Sequence, residues 1–395
     1  MARSRTPRFD ESFSPSVRRH VTLLTVARTV ANASYRFAPP FLATIARGFH
    51  MSISQMGIAL TVSELTGLAS PIVGRRVDGM ARRQAMRLGL IGVGLGAIIA
   101  ASAANLAMFT VGIIVLGGSK VAYDVALGAW IADHVPWHKR SAVVGFTETS
   151  WALGMLVGVS ILGLITAALD WRFAYATGAS LVLVIAWVVS NRLPVNDDVA
   201  HHHEEEVAGE LGVLQRGAWL AIASCFTLMG AIQCIFVTFG PWLDDRFGFS
   251  DAAIAAVGFG LGFVELTAST SSSHFTDAWG KQRSVAFGAS LMVPAALVIA
   301  TLGNHLGTGL VGLAIVILGF EFAIVSLLPI GTQLIPGHRG RGMGLLLGAG
   351  TLGRASVSLA ATRLYDTHGI APAATGAAIF AGATILLVLS HGRHS

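Results

Sequence analysis

Apolar residues in this chain come in long continuous blocks, each closed by a short polar turn. The blocks lack the period-two alternation of a barrel wall, and several reach the roughly 20 residues a helix needs to cross a bilayer. The pattern predicts twelve helical spans: 21–46, 52–74, 84–104, 106–132, 141–166, 171–192, 217–241, 250–272, 284–303, 306–334, 342–364 and 369–391. Most connections are short, so successive helices should be antiparallel neighbours. One long polar stretch falls near the middle. It predicts an N-terminal bundle at 1–193, a linker at 194–216 and a C-terminal bundle at 217–395.

Composition fits that picture. Hydrophobic residues are 53% of the chain, charged residues only 12%, and mean hydropathy is +0.67, too apolar for a soluble domain. The formal charge is +6, but its distribution argues against a nucleic-acid partner. With a cytoplasmic N-terminus, 19 Lys and Arg fall on the cytoplasmic side, four on the opposite side and four inside spans. That asymmetry is the positive-inside pattern of an integral protein of the cell membrane, both termini cytoplasmic. The two cysteines, Cys225 and Cys234, lie on opposite faces of one predicted helix, too far apart along it for a disulfide.

The two halves repeat. Glu64-Leu65-Thr66 matches Glu265-Leu266-Thr267, Pro40 matches Pro241 and Gly57 matches Gly258, all offset by 201. Pro136 and His138 match Pro336 and His338, offset by 200. A basic loop recurs as well. Its first copy runs Gly74-Arg75-Arg76-Val77-Asp78-Gly79-Met80-Ala81-Arg82-Arg83, and its second spans Ser273 to Arg283 with Asp277, Gly280 and Lys281 in register.

That loop resembles the Gly-x-x-x-Asp-[Arg/Lys]-x-Gly-[Arg/Lys]-[Arg/Lys] motif of the major facilitator superfamily. Gly79 and Ala81 depart from the first copy of the motif, and Ser273 and Ala278 from the second. The resemblance implies an all-α polytopic membrane protein with two pseudo-symmetric six-helix bundles. The substrate site then lies between the halves. It also implies a conformational latch at Gly74, Asp78, Arg82, Arg83, Asp277, Gly280 and Lys281, in which the aspartate engages the start of the eleventh span.

Ionisable residues inside spans are costly and mark function by default. Here they are Arg28, Arg36, Glu64, Lys120, Asp124, Glu148, Glu265, Glu321 and Arg354. Away from their ends the third, sixth, ninth and twelfth spans carry none, and in the family those are the peripheral helices. Lys120, Glu321 and Arg354 come out near the midplane at ~1.5 Å per residue. Substrate-cavity candidates are Arg28, Arg36, Glu64, Lys120, Glu321 and Arg354. Lys120 and Asp124, at i and i+4, should pair. Glu64 lies between Arg28 and Arg36 in depth and should pair there, and Arg354 is placed to meet Glu321 or a substrate. Four cations cannot serve five carboxylates, and a carboxylate without a cation in low dielectric exchanges protons readily. Glu321 and Glu265 lead as proton-coupling residues, with Glu148 and Asp124 behind them.

The fifth span carries Gly145, Gly154, Gly158 and Gly163, similar to the family's antiporter pattern, with Val159 in place of its proline and Leu162 in place of a glycine. Such spacing suits close helix packing, in the family against the eighth span. The likeness implies a drug:proton antiporter exporting a small, lipophilic compound by alternating access. Two other readings stay open: a proton symporter or uniporter for a sugar or organic anion, and a receptor or scaffold. His201-His202-His203-Glu204-Glu205-Glu206 reads as a solvated linker rather than a metal site. With no phosphate loop and no nucleophile–base constellation, the chain predicts no enzyme, catalytic residue, metal or cofactor. The expected partners are a small-molecule substrate, protons and the lipid bilayer, and the expected state is a monomer.

Overall fold

Five of the helices begin where a side chain satisfies a first-turn amide. Ser14 caps α1 (Pro15–Arg36), which has proline at its start. α2 (Leu42–Gly48) follows, and Ser52 with Gln55 forms a reciprocal capping box on α3 (Ile53–Leu65). A 3-10 turn covers Thr66–Ala69. Then come α4 (Arg82–Ala101), α5 (Leu106–His134), α6 (Trp137–Leu153), a π-helical turn (Gly154–Val159), α7 (Ser160–Ala168) and α8 (Trp171–Arg192). The second half holds α9 (Ala218–Phe236), α10 (Phe239–Phe247), α11 (Asp251–Trp279), α12 (Lys281–Leu302), α13 (Leu306–Gly331), α14 (Arg339–His368) and α15 (Ile370–His394). This computed structural model describes residues 9, 13–69, 72–73, 76–77, 79–194, 214–335 and 339–394.

Ten described helical stretches are long and apolar enough to cross a membrane, where the hydropathy pattern predicts twelve. The first two predicted spans make the difference. α1 carries Arg18, Arg19, Arg28 and Arg36 and ends at Arg36. Pro39 and Pro40, which lack the amide that helix continuation needs, lie between it and α2. The second span is α-helical only to Leu65 and then tightens into the 3-10 turn around Gly67. The seventh predicted span breaks like the first, between α9 and α10 near Pro241. The repeated prolines thus mark the same interruption in both halves.

Large apolar side chains stay exposed on the helices predicted to be peripheral. They include Leu95 and Ile98 on α4, Val184 and Trp187 on α8, Leu297 on α12, and Ile379 and Leu386 on α15. An apolar surface of that kind needs lipid around it. Inside each half, glycines let helices touch backbone to backbone. A Cβ on Gly96 of α4 would sit 2.4 Å from the Leu116 amide of α5, and one on Gly288 of α12 would sit 2.5 Å from the Gly319 carbonyl of α13.

Between the halves, α3 runs along α14, and α6, the π turn and α7 run along α11. The expectation that all four glycines of the fifth span face the eighth is corrected here. Gly154 and Gly158 press against Asn32 and Ala33 of α1 in the same half, Gly163 touches Phe41 and Ala255, and Gly145 borders open space. The close approach comes from the other partner: a Cβ on Gly262 of α11 would sit 2.3 Å from the Leu156 amide. Gly154 and Gly158 lie within the π turn itself, whose extra residue changes the direction they face, whereas Gly163 beyond it still reaches α11 at Ala255.

Candidate functional site

The ionisable residues of the spans meet in one layer between the halves. Arg28 donates from Nε to Asp124 Oδ1 at 3.1 Å, and from Nη1 to Glu148 Oε1 at 2.7 Å and to the Thr147 carbonyl at 3.2 Å. Lys120 pairs with Asp124. This group of two cations and two carboxylates lies wholly in the first half. Asp124 and Glu148 remain partly exposed, whereas Lys120 is buried.

Two further pairs cross between the halves. Arg36 grips Glu265 with both terminal nitrogens, at 2.8 and 2.5 Å, and also donates to the Trp151 carbonyl at 2.9 Å. Its guanidinium lies 4.6 Å from the centre of the Trp151 ring and 5.4 Å from that of Phe236. The Arg36 and Glu265 side chains are only 4% and 3% exposed, so the pair depends on these partners, although Arg36 Nε is left without one. Arg354 donates to Glu64 Oε1 at 2.6 Å, and Tyr35 donates to Glu64 Oε2 at 3.4 Å. Tyr35, Arg36, Glu64, Trp151, Phe236 and Arg354 line a common pocket at this level.

Glu321 is different. It is 4% exposed, it accepts from Ser269 Oγ at 3.4 Å, and among the described residues it is in no ion pair. Glu265, Arg36 and Glu148 act on it electrostatically.

Two expected pairings are corrected. Glu64 meets Arg354 rather than Arg28 or Arg36, because α3 packs along α14. Arg354 is therefore not the partner of Glu321, and Glu265 does have a cation. Lys120 and Asp124 do pair.

The halves are clasped on the face opposite the linker, here called the far face. Arg47 pairs with Asp244. Thr44 donates to Asp251 at 2.5 Å, and the Ser54 amide at the start of α3 donates to Asp366 at 2.6 Å. Gly240 abuts the Pro40 carbonyl so closely that a Cβ would sit 1.9 Å from it. Toward the linker face, Gly145, Gly344 and Gly348 have open space where a side chain would begin. Sequence reasoning missed the far-face aspartates; their only signal was acidic residues beside short turns.

Of the predicted latch, Gly74 and Asp78 lie outside the described residues, and the Asp277 side chain does as well. Arg82 donates to Asp133 Oδ2 at 2.8 Å and to the Val77 carbonyl at 3.0 Å. Asp133, at the end of α5, was not anticipated. Arg83 is the next residue of α4 and is half-buried. Gly280 takes a φ of 87°, open to glycine and costly for other residues, and joins α11 directly to α12, which Lys281 opens. The His201–Glu206 run and Pro336–His338 also fall outside the described residues. Among the described residues no cluster of three His, Cys, Asp or Glu is placed to hold a metal. Cys225 and Cys234 are both free and buried.

The family model of the Major Facilitator Superfamily matches residues 24–358. The chain is 29% identical over 195 residues to the uncharacterized transporter YgaY of Escherichia coli O157:H7, a match covering 48% of each protein. It is 25% identical over 230 residues to multidrug resistance protein 2 of Bacillus subtilis, covering 55% of this chain and 56% of that one. These matches span about half the length of the relatives. Among solved structures, a bacterial homologue of the human lysosomal transporter Spinster, inward-facing and occupied, superposes with a TM-score of 0.78. That match has 12% identity and covers 97% of this chain and 98% of the other.

Proposed function

The chain belongs to the Major Facilitator Superfamily, and from that premise we propose that it is a proton-coupled exporter of a small lipophilic compound. One observation carries the reading: Glu321 is a deeply buried carboxylate with no cation in contact among the described residues. Every other ionisable group of the layer is neutralised by a neighbour.

The linker face is taken as cytoplasmic, in keeping with the excess of Lys and Arg there. The cavity then opens inward and is closed outward by the far-face contacts. Glu321 releases its proton on the cytoplasmic side as substrate enters, and takes one up after the halves rock and the far face opens. Arg36–Glu265 and Glu64–Arg354 must part in that movement, since each joins one half to the other. Import of an organic anion fits less well. The arginines that would bind an anion already hold carboxylates. The multidrug protein among the relatives also favours a lipophilic cargo.

The test uses the full chain in liposomes with an internal pH dye and an imposed proton gradient. Tetraphenylphosphonium, a neutral dye, a sugar and a dicarboxylate serve as separate probes. Proton movement opposite to a lipophilic probe, lost in Glu321→Gln, is the expected result. Full coupling in Glu321→Gln would overturn the assignment, and co-movement with the sugar or dicarboxylate would overturn the direction.

A further inference from the structure

We infer that a file of hydroxyls, the half-buried Ser269 followed by the buried Ser272, Ser326 and Thr276, carries protons between Glu321 and the linker face. The inference rests on the reading of Glu321 as the proton-binding group and adds the route by which the proton leaves. Glu321 needs such a route. At 4% exposure it is almost wholly withdrawn from water, and its one hydrogen-bond partner among the described residues is Ser269.

From Ser269 the hydroxyls descend α11 toward the linker face. Ser272 Oγ is 2.9 Å from Ser326 Oγ of α13, Ser326 Oγ is 2.7 Å from Thr276 Oγ1, and Ser272 Oγ is 3.3 Å from Thr276 Oγ1. All three hydroxyls are buried. Ser269 to Thr276 is seven residues, or ~10 Å along the helix axis, and Thr276 is ~6 Å from the helix end at Gly280. Together they cover the depth between Glu321 and the membrane surface. Among the described residues no hydrogen bond joins Ser269 to Ser272, and the proposed route has one bridging water at that step.

The bonding pattern suits a relay better than a fixed tie between helices. A hydroxyl has one proton to donate and two lone pairs to accept with. Ser272 has three oxygens in reach: Ser326, Thr276 and the Phe322 carbonyl. Ser326 likewise reaches the Phe322 carbonyl, Ser272 and Thr276. More acceptors than protons are present, so each proton has alternative positions without any atom leaving its place. In one passage the Glu321 carboxyl gives its proton toward the file. Each oxygen accepts a proton on one side and releases its own on the other, and a proton emerges beyond Thr276. One O–H bond breaks and one forms at every step, the hydroxyls end neutral, and the carboxylate keeps the negative charge.

The experiment is time-resolved infrared spectroscopy on the full chain in membranes. The Glu321 carboxyl band, assigned by its loss in Glu321→Gln, is followed after flash release of protons from a caged acid. In Ser326→Ala the band should titrate at the same pH as in the parent protein but respond about tenfold more slowly or worse. Ser326→Thr, which restores the hydroxyl, should recover the rate, and the lipid-side control Thr301→Ala should not change it. Ser272→Ala and Thr276→Val give the same comparison should Ser326→Ala not fold. A titrating band whose rate is unchanged in these variants overturns the relay and leaves the Glu321 reading standing. No carboxyl band lost in Glu321→Gln overturns both.

Discussion

Consider removing the carboxylate from the Arg36–Glu265 pair with Glu265→Leu. The Arg36 guanidinium then stays between Trp151 and Phe236 with the Trp151 carbonyl as its remaining hydrogen-bond acceptor. Stranding one partner of a buried ion pair costs about 3–5 kcal/mol. The cost falls on the state in which the two halves are closed on the far face, because only there do α1 and α11 bury this charge together. On the proposed rocking movement, opening the far face would bring Arg36 to water. The equilibrium therefore shifts toward opening by roughly 150- to 5,000-fold, at about 1.36 kcal/mol per factor of ten.

A cysteine at Ala38 reads that shift. Ala38 is buried and lines the pocket beside Arg36, while the native Cys225 and Cys234 are buried on α9 and should give little background. The rate of labelling by a membrane-impermeant maleimide follows the open population until opening stops being limiting. Arg36→Leu with Glu265→Leu should return labelling close to the parent rate, since no charge is left stranded. Glu321 is in electrostatic reach of Arg36 and substitutes in part for Glu265, so adding Glu321→Gln to Glu265→Leu should push labelling further. A single Glu265→Leu that changes labelling by less than about threefold would refute the reasoning. A double substitution as open as the single one would refute it as well.

Two other outcomes follow from the contacts between the halves. Gly262→Ala should destabilise the protein by about 1–3 kcal/mol, because the new methyl meets backbone atoms of Leu156 at 2.3 and 2.4 Å. Gly260→Ala, with nothing within 4 Å, should be near neutral. Heating with a thiol-reactive dye that reports exposure of Cys225 and Cys234 compares the two, and equal behaviour would count against the α11 seam. Asp366→Asn removes a negative charge from the start of α3, where it accepts the Ser54 amide. That interaction is worth about 0.3–1 kcal/mol, so labelling at Ala38→Cys should rise roughly two- to fivefold at low ionic strength and less in high salt. No change at low ionic strength would mean that this contact does not hold the far face closed.

The membrane architecture was legible because it depends on long averages. Twenty apolar residues in a row override local propensity, and a repeat offset of 201 at Glu64 and Glu265 survives small errors in helix ends. Pairing depends on helix rotation, which a sequence gives poorly. Glu64 lies between Arg28 and Arg36 in depth, and depth alone pointed to a bond with one of them. In the structure Arg36 turns toward α11, held by Trp151 and Phe236, and neither aromatic carried a signal in the sequence. Glu64 turns the other way, to Arg354 on α14. The glycines of the fifth span were misread for the same reason, since a π turn changes azimuth without interrupting the apolar run.

The charge count survived those errors. Five carboxylates against four cations required one unmatched acid whatever the rotations were. The geometry decides which. Arg28 and Lys120 balance Asp124 and Glu148 within the first half. The repeat-related glutamates then make reciprocal bridges: Glu64 reaches across to Arg354 of the second half, and Glu265 reaches back to Arg36 of the first. Once these four cations are assigned, the odd charge falls on Glu321. Neutralising it by Glu321→Gln breaks none of the ion pairs that join the halves. The same substitution at Glu64 or Glu265 breaks one. Loss of coupling in a stable, closed Glu321→Gln protein therefore separates proton binding from the mechanics of closure.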